Sequence, residues 1–129
     1  MKKKDKTPLA KSQLEVSRIV WDLGEATVRQ VHEALPDDRD LDFWTVQTYL
    51  RRLKEKGYLK TKRVGQGNVY SAAINPKTVV RSLTNDFLDR LFDGRAFPLF
   101  QQLIESKGLS DEEISDLQKQ LDEMKRKKR

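Results

Sequence analysis

The chain has 129 residues, of which 36% are apolar and 36% are charged, and its formal net charge is +6. This length fits one domain, or one domain with an appendage, and the apolar fraction argues against a wholly disordered chain. The chain has no cysteine, which excludes disulfide bonds and thiolate metal sites. It also lacks an apolar run of about 18 residues, so we expect a cytoplasmic protein without membrane insertion.

The first 35 residues indicate a basic arm followed by two helices. Residues 1–8 are predicted to be a disordered arm. Apolar residues at helical spacing predict a first helix over Lys11–Leu23, in which Ser12 and Glu15 have the spacing of a capping box. A second, shorter helix is predicted over Val28–Leu35, preceded by another capping box at Thr27 and Gln30.

A third helix and a hairpin complete the first half. The helix is predicted over Trp44–Lys56, with Asp42 or a neighbour as its cap, and Gly57 ends it. After it the period changes to alternation in two short segments that flank a Gly-rich turn, which predicts a β-hairpin. Three helices followed by a basic hairpin are the order of a winged helix-turn-helix domain, predicted here over residues 9–75. The residues of the third helix expected to face the core are Val46, Tyr49, Leu50 and Leu53.

Residues 76–129 are predicted to form three helices and a basic tail. The first begins at Asn75-Pro76, the second precedes Gly108, and the third begins with a capping box at Ser110 and Glu113. These helices have more apolar surface than one chain can cover, so we expect them to form a homodimer. The predicted dimerisation residues are Val80, Leu83, Phe87, Leu91, Phe100, Leu103, Ile114, Leu117 and Leu121.

Basic side chains are concentrated in the third helix and the hairpin. Between Phe43 and Tyr70 the chain has seven basic residues and one acid, Glu55, a surplus equal to the net charge of the whole chain. Residues 76–129 are balanced, with 11 basic and 10 acidic side chains. The net positive charge favours a polyanionic partner such as nucleic acid or an anionic membrane surface, and a focused basic patch beside a neutral remainder is the electrostatic footprint of such a partner.

The third helix has the residue types that contact with DNA requires. Short polar side chains near its start suit base edges, and cations further along suit phosphates. Glutamine can form two hydrogen bonds with adenine, and threonine can touch a thymine methyl or donate to a base edge. The predicted base contacts are Thr45, Gln47 and Thr48, and the predicted backbone contacts are Trp44, Arg51, Arg52, Lys54, Lys60, Lys62, Arg63 and Gln66.

Trp44 leaves two alternatives open. Its indole packs against Phe43 or Leu41, or it lies against a sugar or a base of the DNA. We expect packing or a contact at the edge of the DNA backbone.

Other functional classes have less support in the sequence. His32 is the one histidine, it is expected to be a surface or half-buried structural residue, and alone it cannot build a zinc site of the usual kind. We expect no cofactor, no metal and no enzymatic activity. The main alternative is a winged-helix adaptor that binds an acidic protein. A nuclease is a weaker alternative, because few carboxylates lie near the basic segment.

The residues also resemble a known family. Residues 9–31 (LAKSQLEVSRIVWDLGEATVRQV) and 45–59 (TVQTYLRRLKEKGYL) are similar to segments of the penicillinase repressor family, which includes methicillin-resistance and copper-transport repressors. The segment Leu109–Ile114 (LSDEEI) is similar to the closing segment of those proteins. The resemblance implies a winged helix, a dimer through the C-terminal helices, and repression at a palindromic operator.

Two departures from the family pattern bear on regulation. Copper-responsive members end in a cysteine cluster, which this chain lacks, so copper sensing by that route is not expected. The β-lactam-responsive members are cut by a sensor protease at an Asn-Phe bond in the helical half. The resemblance places the matching bond at Gln102-Leu103, where the residues differ, and this puts β-lactam induction in doubt.

Overall fold

A computed structural model describes residues 11–128, so the predicted arm at residues 1–8 lies outside the described residues. The contacts divide the chain into two compact units, one ending at Leu83 and the other beginning at Thr84. The order of the elements confirms the predicted fold class, mainly α-helical with a small β-hairpin. These elements are α1 (Lys11–Leu23), β1 (Glu25–Ala26), α2 (Val28–Ala34), α3 (Phe43–Glu55), β2 (Leu59–Val64), β3 (Gly67–Ala72), α4 (Pro76–Phe92), α5 (Ala96–Glu105) and α6 (Asp111–Lys127).

Local sequence signals explain where α2 begins and where α1 and α3 end. The backbone amide of Gln30 donates to the Thr27 hydroxyl at 3.1 Å, and the backbone amide of Thr27 donates to the Gln30 side chain at 2.9 Å. These two bonds confirm the predicted capping box. Gly24 and Gly57 follow α1 and α3 with φ angles of 82° and 89°, in the left-handed region where glycine terminates helices.

Ser12 and Glu15 do not form the predicted capping box. Both lie inside α1, which already includes Lys11. Instead they bind Arg39, whose Nε donates to Glu15 at 2.9 Å and whose Nη2 donates to Ser12 at 3.1 Å. Because Arg39 lies in the connector between α2 and α3, these bonds fasten that connector to α1.

The sheet has three antiparallel strands in the order β1-β3-β2. In the hairpin, Leu59 pairs with Ala72 and Val64 pairs with Gly67, which leaves a two-residue turn. We call β2, β3 and this turn the wing. The strand β1, which pairs Ala26 with Tyr70, was not predicted, because two residues are too few to show the alternation of a strand.

The core of the first unit lies between α1, α2, α3 and the sheet. The predictions for Val46, Leu50 and Leu53 are confirmed, since all three are fully buried. Tyr49, predicted to face the core, packs at its edge. Leu23, the last residue of α1, is 49% exposed. The buried cluster comprises Val16, Val20, Ala26, Val31, Leu35, Val46, Leu50, Leu53, Leu59 and Tyr70.

The C-terminal helices have few buried side chains. Val79 is the buried residue of α4. The first unit extends to Leu83, so α4 contributes residues to both units. The backbone amide of Glu113 donates to Ser110 at 3.2 Å and the backbone amide of Ser110 donates to Glu113 at 3.0 Å, which confirms the capping box of α6. Within the described residues, α5 and α6 bury no side chain.

Candidate nucleic-acid interface

The helix α3 has one side fixed in the core and one side open to solvent. Val46, Leu50 and Leu53 hold the inner side. The start of the helix is fixed by Asp42, whose carboxylate accepts a hydrogen bond from the backbone amide of Thr45 at 2.8 Å. This bond lowers the pKa of the Asp42 carboxyl, so the cap is ionised at neutral pH. The core and the cap together set how the outer side of α3 faces solvent.

The predicted base-contact residues Thr45, Gln47 and Thr48 lie near the start of α3 and are half-buried. The Thr48 hydroxyl donates to the backbone carbonyl oxygen of Trp44 at 3.0 Å. Because a hydroxyl has one proton to donate, Thr48 cannot also donate to a base edge while this bond is intact. Its oxygen lone pairs and its methyl group stay available. Of the two contacts expected of this threonine, touching a thymine methyl is therefore still open, whereas donating to a base edge is not.

The predicted phosphate-contact cations are exposed on α3 and on the wing. Burial raises the pKa of the Tyr70 hydroxyl, and the positive charge of Arg51 opposes that rise. The helix α3 and the wing both lie in the first unit, and both contribute residues to its buried cluster. The two groups of cations therefore belong to one unit with a shared core. The exposed cations are Arg51, Arg52 and Lys54 on α3 and Lys60, Lys62 and Arg63 on the wing, and the uncharged Gln66 is also exposed on the wing.

Two basic residues of the segment from Phe43 to Tyr70 already bind acceptors within the protein. The Lys56 ammonium donates to Gln13 Oε1 at 3.2 Å, across the contact between α1 and α3. The Lys62 ammonium lies 3.4 Å from a Glu25 carboxylate oxygen, and the two side chains are 65% and 57% exposed. Lys56 therefore supports the packing of α3, whereas Lys62 shares its charge with a carboxylate that DNA would have to displace.

The structure shows that Trp44 packs against Phe43, and it leaves much of the indole open to solvent. Its ring meets the ring of Phe43 edge-on, with 5.5 Å between the centroids and 90° between the planes. The residue nevertheless remains 70% exposed. The contact with Phe43 thus supports the indole without burying it.

His32 is half-buried and structural, as the sequence indicated. Its Nε2 lies 2.9 Å from the carbonyl oxygen of Leu41, and its ring meets that of Phe43 at 6.2 Å. The histidine therefore fixes the chain where it enters α3. Sequence reasoning missed this role, and also that of Arg39, because neither partner lies on the same element as the residue.

In residues 11–128 no group of three or more His, Asp or Glu side chains is placed to hold a metal ion. None of the described helices combines the length and the apolar character that crossing a membrane requires.

The C-terminal helices present an apolar surface to solvent. Among the predicted dimerisation residues, Leu83 and Leu117 are half-buried and the others are exposed. Gln102 and Leu103, the candidate cleavage position, lie within α5, and both are exposed. The exposed fractions are 51% for Val80, 43% for Phe87, 64% for Leu91, 47% for Phe100, 47% for Leu103, 42% for Ile114 and 52% for Leu121.

Comparison with known proteins gives consistent matches. A family model described as Penicillinase repressor matches residues 9–123. The penicillinase repressor of Bacillus licheniformis is 28% identical over 121 residues, covering 94% of each chain. An uncharacterized 16.5 kDa protein of Latilactobacillus sakei is 32% identical over 110 residues, 85% of this chain and 75% of that protein. Among solved structures, the DNA-binding domain of the repressor BlaI matches with a TM-score of 0.50 and 29% identity, over 59% of this chain and 90% of that domain.

Proposed function

The chain belongs to the penicillinase repressor family, and from this premise we propose that it is a transcriptional repressor that binds double-stranded DNA as a homodimer. The observation that carries the proposal is the outer side of α3. Short polar residues precede cations there, on a helix whose inner side is fixed by Val46, Leu50 and Leu53. A recognition helix needs both features, because base contacts require a defined orientation and phosphate contacts supply affinity.

The residues of α3 and the wing have separate roles in this proposal. Thr45, Gln47 and Thr48 contact base edges in the major groove, with Gln47 able to form two hydrogen bonds to adenine. Thr48 contributes its methyl group or accepts a hydrogen bond, since its proton is held by the carbonyl of Trp44. The phosphates are bound by Arg51, Arg52, Lys54, Lys60, Lys62, Arg63 and Gln66.

The second unit brings two DNA-binding units together. Its helices α5 and α6 bury no side chain of their own, and they include apolar residues such as Phe100 and Leu121 that are about half exposed. A second copy of the chain would cover this surface. A twofold dimer places two α3 helices in major grooves about one helical turn apart, and it therefore favours a palindromic operator.

Repression then follows from occupancy of a promoter, and relief follows from loss of the dimer. Separated protomers bind one half-site each, so affinity falls steeply when the linkage between them is lost. A sensor protease acting at Gln102-Leu103 is one route. The position lies in a helix without buried side chains, and such segments open locally at low free-energy cost.

Variants of α3 and the wing test the assignment. Duplexes enriched from genomic fragments by the wild-type protein are compared with random duplexes over a range of salt concentrations. Gln47→Ala should change the sequence preference. Lys62→Ala should weaken binding to all duplexes alike and should lower the salt slope by about 1. Equal losses on enriched and random DNA for both variants would refute these roles, and failure of the wild type to bind random duplex at low salt would favour the adaptor function.

A further inference from the structure

Trp44 is a large apolar side chain in an unusual position. It is 70% exposed, more than any other large apolar residue that is exposed in the described part of the chain. It is the second residue of α3 and directly precedes Thr45. Tryptophan is enriched at interfaces, because it combines a large apolar ring with an N–H donor in one side chain.

Neighbouring aromatic rings support the indole on one side. His32 is held by its 2.9 Å contact with the Leu41 carbonyl oxygen, its ring meets Phe43, and Phe43 in turn meets Trp44 at 5.5 Å. This chain of three aromatic rings leads from the half-buried His32 on α2 to solvent. A side chain supported in this way loses little conformational entropy on binding, so its contact can be selective.

The surroundings of the indole favour a base over the DNA backbone. Gln47 and Thr48 lie three and four residues further along α3, on the same side of the helix as Trp44. The first residues of a recognition helix approach base edges, and the apolar group that the major groove displays there is the C5-methyl of thymine. Indole has no charge and a single N–H donor, which makes it a weak ligand for phosphate.

We infer that Trp44 is a specificity-determining residue that contacts the C5-methyl group of a thymine in each half-site. This inference rests on the proposed function, and it replaces the backbone contact that the sequence suggested for Trp44. It assigns Phe43 and His32 to positioning: they hold the indole and do not touch DNA.

The test removes one methyl group at a time. In a duplex enriched by the wild-type protein, each thymine of a half-site is replaced singly by deoxyuridine, which leaves base pairing unchanged. At one position this replacement should lower the affinity of the wild type about fourfold. That factor corresponds to the free energy of burying one methyl-sized group. Trp44→Ala should show no loss there, whereas Trp44→Phe should retain part of it. Gln47→Ala is the matched control, because it should weaken binding and still discriminate thymine from deoxyuridine.

The outcomes separate this inference from the proposed function. The inference is wrong if Trp44→Ala discriminates thymine from deoxyuridine as the wild type does, or if the wild type discriminates at no position. In either case, specific binding of the wild type to the enriched duplex still supports the proposed repressor function. If Trp44→Ala loses the same factor on thymine, deoxyuridine and random duplexes, the indole contacts the backbone and the inference is also wrong. If the wild type does not prefer the enriched duplex to random DNA, the proposed function fails and this inference fails with it. Thermal unfolding of each variant verifies that the first unit remains folded.

Discussion

Replacement of Leu121 by alanine should weaken self-association of the full chain roughly 30-fold. In the single chain Leu121 is 52% exposed, so about half of the free energy available from burying this side chain is left for an interface. Burial of a whole leucine side chain contributes roughly 1.5–3 kcal/mol, and half of that is about 1 kcal/mol. A twofold interface contains the residue twice, which gives about 2 kcal/mol, or roughly 30-fold in the dissociation constant of the dimer.

Sedimentation equilibrium of the wild type and of Leu121→Ala over a range of concentrations measures this change. Lys119→Ala is the matched control, because residue 119 is exposed on the same helix and points about 200° away from residue 121. Circular dichroism should show equal helix content in all three proteins. A wild type that sediments as a monomer at micromolar concentration would refute the reasoning, and so would a Leu121→Ala variant that associates as tightly as the wild type.

Three further predictions concern the first unit. Leu50→Ala should lower the free energy of unfolding by about 2–5 kcal/mol, because Leu50 is fully buried, and a loss below about 1 kcal/mol in a urea titration would contradict that core. Arg39→Met should lower the free energy of unfolding by about 1 kcal/mol, because the ion pair of Arg39 with Glu15 is only about two-thirds buried. A double-mutant cycle with Glu15→Gln should assign most of that loss to the pair. The lowered pKa of Asp42 stabilises the fold fully above the ordinary value of 3.8, and this contribution is lost as the pH falls through the lowered value. The stability advantage of the wild type over Asp42→Asn should therefore disappear in acid, and an advantage independent of pH would contradict the role of the charge.

Much of the secondary structure in both units could be predicted from local sequence. The capping boxes at Thr27 and Ser110 and the helix-ending glycines are signals that span a few residues, and the structure shows their hydrogen bonds. The buried residues of α3 follow from helical spacing alone. Such features need no knowledge of the rest of the chain.

Features that depend on distant partners could not be predicted. Ser12 and Glu15 have the spacing of a cap, yet they bind Arg39, which is more than 20 residues away. The run of basic residues in the sequence gives no sign that the Lys56 ammonium donates a hydrogen bond to Gln13. A list of charges along a sequence does not show which of them are already paired, because pairing is set by the packing of elements.

The ion pair between Glu25 and Lys62 bears on how long the protein stays on DNA that is not its target. DNA of any sequence presents the same phosphates, and each phosphate at Lys62 must first displace the Glu25 carboxylate, 3.4 Å away. Under the proposed function this competition is independent of sequence, and it should shorten every non-specific encounter. A molecule that leaves wrong sites sooner samples more of a genome in a given time. A single carboxylate on a two-residue strand would then lower the strength of binding and raise the speed of the search.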